Sequence, residues 1–348
     1  MKRPVTQRDL AERVGLSQAA VSMALRGDPR IRPSIREQVL AAAAELGYRP
    51  DPVLGALARY RRETSPQRYI GTVACLLPCS AKQKEGYLRS PFAADSLRGA
   101  EEGLAAMGYR CERFVLGAYS PDRLRRVLCS RGIRGMVIGP VGTGHRVAPP
   151  VCEELAVVQI GRGWPELSFH HVTTNHFENM LTVCRSLRAR GYRRIGLLCR
   201  RGHEILNNGR WIAAYRYCMG MDDSPGAGPL PECTEPDALA SWIRKYHPDA
   251  IIGSDVWLRS LLGEMTGLQA PRDVGFASLS VPGTDNPISG ILQQPAEIGR
   301  TAARQIDVAL RNHGRGPPAD PVTVVLRGRW HEGTTVRATG VACSHAGS

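Results

Sequence analysis

Residues 6–57 read TQRDLAERVGLSQAAVSMALRGDPRIRPSIREQVLAAAAELGYRPDPVLGAL, and this stretch sets the architecture of the chain. Thr6 with Asp9 three residues later is a capping-box arrangement. Leu10, Ala11 and Val14 give the helix behind it one apolar face, and Gly15 stands where that helix must end with a positive φ. Ser17 caps a second helix from Gln18 to about Arg26, with Ala20, Val21, Ala24 and Leu25 as its buried stripe. So short a turn between two helices is helix-turn-helix geometry. Gly27 to Arg32 is a basic loop. Pro33 and Ser34 open a third helix, apolar through Ile35, Val39, Ala42, Ala43 and Leu46, which closes at Gly47. Asp51 as cap and Pro52 at the first helical position predict a fourth helix, Val53 to about Tyr60. A helix that short does not hold by itself in water, so Val53, Leu54 and Leu57 need a partner surface.

Asp9-Leu10-Ala11, Val14-Gly15-Leu16-Ser17, Val21-Ser22, Leu25, Arg36, Val39, Ala43, Leu46, Tyr48, Pro50 and Leu57 stand in the order and spacing of a known headpiece. The stretch resembles the DNA-binding region of the lactose-repressor (LacI/GalR) family of bacterial transcriptional regulators. The resemblance implies a regulator, a repressor by the family's usual habit. Its partners would be a pseudo-palindromic double-stranded DNA operator, bound as a homodimer, and a small-molecule effector such as a sugar.

The second helix would enter the major groove with Gln18, Ala19 and Met23 at base edges. Gln can pair bidentately with adenine and Ala can touch a thymine methyl. The family commonly has Arg where Met23 stands, and Met offers only apolar contact. Thr6, Ser17, Ser22, Arg26, Arg30 and Arg32 are expected at phosphates, which position the protein without specifying sequence; Ser17 reads equally well as a helix cap. Tyr48 joins the DNA-binding set on the same resemblance. The fourth helix resembles the family's hinge helix, with Leu57 as a wedge for the minor groove and Leu54 either a second wedge or packing between two hinges.

Residues 1–62 are thus the expected headpiece, with the hinge at about 51–60, and residues 63–68 a linker. From residue 69 the pattern alternates between apolar strands and amphipathic helices. Strands are expected at Ile70–Leu77, Arg113–Leu116, Gly135–Ile138, Ala156–Ile160, Ile195–Cys199, Ala250–Gly253, Val274–Leu279 and Val322–Leu326. Helices are expected at Phe92–Met107, Pro121–Ser130, Pro149–Glu154, His176–Arg190, Trp211–Met219, Asp237–Tyr246, Trp257–Met265 and Pro295–Asn312. Such β-α repeats imply α/β architecture with parallel sheets, here two successive sets of roughly 100 residues around a cleft. The runs SLRGAEEGLAAMGYR and GYRRIGLL, with Pro271-Arg272-Asp273-Val274, resemble the family's two-subdomain periplasmic-binding-protein-like doubly wound effector domain, residues 69–336, followed by a tail, 337–348.

Ligands of doubly wound sheets bind beyond the carboxyl ends of strands. That nominates Ser80, Arg162, Asn207, Ser254, Asp255 and Ser280 as effector-binding residues, with Trp211 as a stacking surface; Trp164 and Trp257 could also stack or pack. Asn207 and Ser280 stand where the family has an Arg and an Asp. His145, His170, His171 and His203 fall in loops and read as solvated.

The chain's 348 residues carry a formal net charge of +14, with 43% hydrophobic residues. This suits a globular protein with a polyanionic partner. The longest apolar candidate, Ile70 to Cys79, is far shorter than the roughly 18 residues of a membrane helix, and no apolar stretch follows the basic start, so no membrane association and a cytoplasmic location are expected. The ten cysteines form no C-x-x-C pair and read as small hydrophobes, so neither metal nor cofactor is expected. No G-x-S-x-G, H-E-x-x-H or G-x-x-x-x-G-K-[ST] occurs, and the chain reads as a non-enzyme. A solute-binding protein of a transport system shares the body pattern and is one alternative, against which the headpiece argues; a transcriptional activator of the resembled family is the other.

Overall fold

The structure, a computed structural model, describes residues 5–25, 31–48, 69–141, 150–161, 169–199, 207–220 and 236–338. The expected hinge helix with Leu54 and Leu57, the linker, Arg26, Arg30, Arg162 and Trp164 lie outside the described residues.

Three helices form the headpiece: α1 Gln7–Val14, α2 Gln18–Leu25 and α3 Pro33–Leu46. The Thr6 amide and hydroxyl both donate to Asp9 Oδ2 at 2.7 Å, and the Asp9 amide donates back to Thr6 Oγ1 at 3.4 Å. Gly15 and Gly47 end α1 and α3 at φ 68° and 66°, the left-handed conformation that costs Gly no Cβ clash. Eight-residue helices are marginal alone. Burying a Leu or Val contributes about 1.5–3 kcal/mol, so packing holds this module. Leu10, Val21, Ala24 and Val39 are fully buried, with Val14, Leu16, Leu25, Leu46 and Tyr48 packed around them.

The body holds two sheets. The first has the order β10-β5-β4-β3-β1-β2, all parallel, from β1 Gly71–Leu77, β2 Tyr109–Val115, β3 Gly135–Ile138, β4 Ala156–Ile160, β5 His170–Thr174 and β10 Thr323–Leu326. The second has the order β11-β9-β8-β7-β6, from β6 Ile195–Leu198, β7 Ala250–Gly253, β8 Gly275–Val281, β9 Ser289–Leu292 and β11 Arg329–His331. Only β11 runs antiparallel, against β9. Strands β3, β4, β6 and β7 are buried along their length, as parallel strands covered on both faces must be. Around the sheets lie α4 Lys84–Arg89, α5 Pro91–Ala106, α6 Pro121–Ser130, α7 His176–Ala189, α8 Arg210–Gly220, α9 Pro236–Tyr246, α10 Leu258–Thr266 and α11 Pro295–Arg311.

The expectation of two successive sets is corrected. Helix α11 packs on α5, β4 and β5, and β10 joins the first sheet beside β5, so the chain passes between sheets after β5, after β9 and after β10. The crossings are tied to one another. Thr174 Oγ1 donates to Gln293 Oε1 at 3.3 Å, Gln294 Nε2 to the Arg327 carbonyl at 2.9 Å, and the Gly328 amide to Asn179 Oδ1 at 2.8 Å.

The strand expected at Arg113–Leu116 begins earlier, at Tyr109. Strand β2 is an edge, so Arg110, Glu112 and Arg113 sit in it without breaking a buried face. His170 and His171, expected in a loop, lie in β5: His170 Nδ1 accepts from the Val322 amide at 3.0 Å, and His171 Nε2 stands 3.1 Å from Thr323 Oγ1.

Helices α5 and α11 approach backbone to backbone. A Cβ on Gly99 would collide with the Ala296 carbonyl, and one on Gly299 with the Ser96 carbonyl. Overpacking of this kind costs about 1–3 kcal/mol. Gly99→Val is therefore expected to lower the body's unfolding free energy by that much, read from urea melts, while Gly86→Ala, where nothing lies within 4 Å of the added carbon, leaves it in place.

Candidate DNA-reading face and ligand cleft

Helix α2 sets the headpiece's outward chemistry. Val21 and Ala24 point inward and are fully buried. At 100° per residue, Ser22 and Met23 then fall about 130° from the centre of that buried side and Gln18 about 90° from it. Gln18 is exposed, and Ser22 and Met23 are partly exposed. Arg32 is also exposed, at the start of α3. Ser17 Oγ accepts from the Ala20 amide at 3.1 Å and so caps α2. The Thr6 hydroxyl is committed to Asp9, and Tyr48 is half-buried against the helical core. An exposed ion pair, Arg13 Nη2 to Glu45 Oε1 at 3.0 Å, links α1 to α3.

In the body, the space between the sheets forms a cleft of about 370 Å³. The structure brings Asn207, Trp211, Ser254, Asp255 and Ser280 together along it, since each follows or faces a strand's carboxyl end. Ser80 is placed differently. Its hydroxyl donates to Gln83 Oε1 at 2.8 Å and caps the turn Ala81–Gln83, and it is not among the cleft's lining residues. Trp257 is exposed on the surface instead.

The opposite wall comes from Ser90, Pro91 and Phe92, which open α5, and from Val141 and Thr173. Sequence reasoning missed these, along with Gln293 and His176. Gln293 is 7% exposed and donates to the Leu279 carbonyl at 2.7 Å. It follows β9, a strand whose four residues carry too little pattern to find. His176 opens α7, where a helix-starting position masked its role.

His176 meets Trp211 edge to face, centroids 5.4 Å apart at 88°. Its Nδ1 is buried with no hydrogen-bond partner among the described residues. Burial, with the Arg210 charge adding to it, pushes its pKa down from 6.5 to about 4. The folded protein thus holds the imidazole neutral.

The comparisons with known proteins follow this division. Residues 6–51 match the bacterial regulatory proteins of the lacI family, and residues 184–336 match the periplasmic binding protein-like domain. The chain therefore carries a lacI-type helix-turn-helix region and a periplasmic binding protein-like domain. The transcriptional regulator AglR of Rhizobium meliloti (strain 1021) is 47% identical over 55 residues, 16% of this chain and 15% of that protein. This chain therefore matches only a small part of that relative's length. Among solved structures, a complex of the transcriptional regulator CelR with cellobiose is similar with a TM-score of 0.59 at 20% identity, over 96% of this chain and 100% of that one. The lac repressor dimer bound to operator and the anti-inducer ONPF gives 0.56 at 15% identity, over 97% and 100%. At such identities the likeness is one of fold. No helix among the described residues is long and apolar enough to cross a membrane.

The shift at His176 has a direct consequence for stability. The unfolded chain takes up a proton on that residue near pH 6.5, the folded protein only near pH 4. Stability is therefore intact above pH 6.5 and drains away as pH falls towards 4. His176→Asn is expected to be about 2 kcal/mol less sensitive to that change than the wild type, measured as urea midpoints at pH 7 and pH 4.5.

Proposed function

We propose that this protein is a sequence-specific DNA-binding transcriptional regulator, a repressor, whose operator affinity is set by a small molecule held between the two sheets. The observation that carries the reading is the outward face of α2. Burial of Val21 and Ala24 turns Ser22 and Met23 away from the core, with Gln18 at the edge of that face, on an eight-residue rod. A rod of that kind fits the major groove, where Gln18 would read adenine and Ala19 a thymine methyl. Arg26, Arg30 and Arg32, with the Ser22 hydroxyl, would hold phosphates and set register. The net charge of +14 suits that partner.

One headpiece reaches only a half-site, so the working form is a homodimer on a pseudo-palindrome. Residues 51–60 would act as the hinge, with Leu57 wedged into the minor groove and Leu54 beside it. The effector would sit among Asn207, Trp211, Ser254, Asp255 and Ser280, with Arg162 as a further contact. An aromatic face beside several hydroxyl and amide groups suits a sugar or a related metabolite. Closure on that ligand would shift the sheets about their three crossings and change hinge spacing, so ligand and operator affinities would be linked reciprocally.

Selection of bound fragments from a random DNA pool, at fixed salt, tests the reading. The expected outcome is enrichment of one inverted repeat with half-sites about one helical turn apart. Recovery of fragments with no shared repeat would contradict it.

A further inference from the structure

The described cysteines include two close pairs that the sequence does not announce. Cys75 lies in β1 and Cys111 in β2, 36 residues apart in the chain. Their strands are parallel neighbours, with Val73 opposite Cys111 and Cys75 opposite Arg113. Both side chains therefore project from one face of the sheet, into the layer beneath α5 with Ala100 and Leu104. The Cys111 sulfur points at the Cys75 sulfur from 2.6 Å. Cys75 is fully buried, whereas Cys111 is partly exposed.

We propose that Cys75 and Cys111 are a redox-responsive dithiol, which a hydroperoxide converts to an intramolecular disulfide. Three features support this assignment. The sulfurs need approach by only about half an ångström to reach bonding distance. Strand β2 is the sheet's edge and among the described residues pairs only with β1, so it can shift without disturbing a second described strand. Solvent reaches the Cys111 side, giving an oxidant a route that Cys75 lacks.

The steps follow from this asymmetry. The Cys111 thiolate attacks one peroxide oxygen; a sulfur–oxygen bond forms, the oxygen–oxygen bond breaks, and the departing hydroxide or alkoxide takes up the proton that Cys111 had given to solvent and leaves as water or alcohol. Cys111, oxidised by two electrons, is then a sulfenic acid. The Cys75 sulfur attacks the Cys111 sulfur, the sulfur–sulfur bond forms, the sulfur–oxygen bond breaks, and the departing hydroxide takes the Cys75 proton as water. The Cys111 contact and burial hold the Cys75 thiol well above its ordinary pKa, so Cys75 stays protonated while Cys111 reacts and gives up its proton only as it attacks. The other close pair, Cys184 and Cys218, is buried on both sides and serves as an internal control.

The test uses the full reduced chain in a Cys129→Ser background, which removes an exposed competing thiol. The protein is treated with one equivalent of hydrogen peroxide, alkylated, digested without reductant and analysed by mass spectrometry. The expected product is a Cys75–Cys111 cross-linked peptide lighter by two hydrogens, restored by dithiothreitol, and formed about tenfold faster than any Cys184–Cys218 link. Cys75→Ser and Cys111→Ser should each abolish it. Cys111→Ser, at a partly exposed edge position, carries the conclusion if Cys75→Ser fails to fold. Recovery of Cys111 as sulfinic acid with Cys75 alkylated, of both thiols unreacted, or of Cys111 joined to a different cysteine would overturn the proposal.

Discussion

Everything outward-facing on the headpiece depends on the burial of Val21 and Ala24 against Leu10 and Val39. An eight-residue helix has too little hydrogen bonding to offset its own ordering. It exists here because α1 and α3 cover one of its sides. That cover also fixes its rotation about its axis, and rotation decides which side chains meet a partner. Polar substitution at Val21 would both unfold the rod and scatter Gln18, Ser22 and Met23. Core and reading face are two sides of one constraint.

In the body the corresponding constraint is the contact between α5 and α11. Gly99 and Gly299 let two backbones touch, and this draws the late helix back onto the early sheet. The chain must then cross between sheets three times rather than once. Three crossings, tied by Gln293, Gln294 and Asn179, join the sheets through short polar segments instead of a shared apolar core. Such a junction bends more easily than the sheets themselves. The cleft opens beside it, between the start of α5 and the ends of β7 and β8, so a ligand there would grip both halves.

The headpiece was legible because its signals are local. Thr6 and Asp9, Ser17, Gly15 and Gly47 act within a few residues of themselves. The apolar strands of the body were legible for a similar reason: burial on both faces leaves a short uninterrupted run. What the sequence hid is non-local. Nothing near Pro295 says that α11 returns to the first sheet, because its partner Gly99 lies almost 200 residues earlier. Strand β5 was hidden because His170 and His171 look polar until Val322 and Thr323 supply their partners. The strand-end rule gathered Asn207, Ser254, Asp255 and Ser280, but misplaced Ser80, whose hydroxyl a local cap had already claimed. It also missed His176, which is defined by Trp211 across the fold. The Cys75–Cys111 pair was hidden in the same way, since register, not spacing, brings those sulfurs together.

The account turns on whether the outer face of α2 reads base edges. The direct measurement compares wild type and Gln18→Ala on a selected site, with every single base pair changed in turn, at constant salt. Loss of preference at one position in each half-site, worth about 1–3 kcal/mol, with other positions unchanged, is the predicted result. A uniform weakening at all positions, or an unaltered profile, would contradict it.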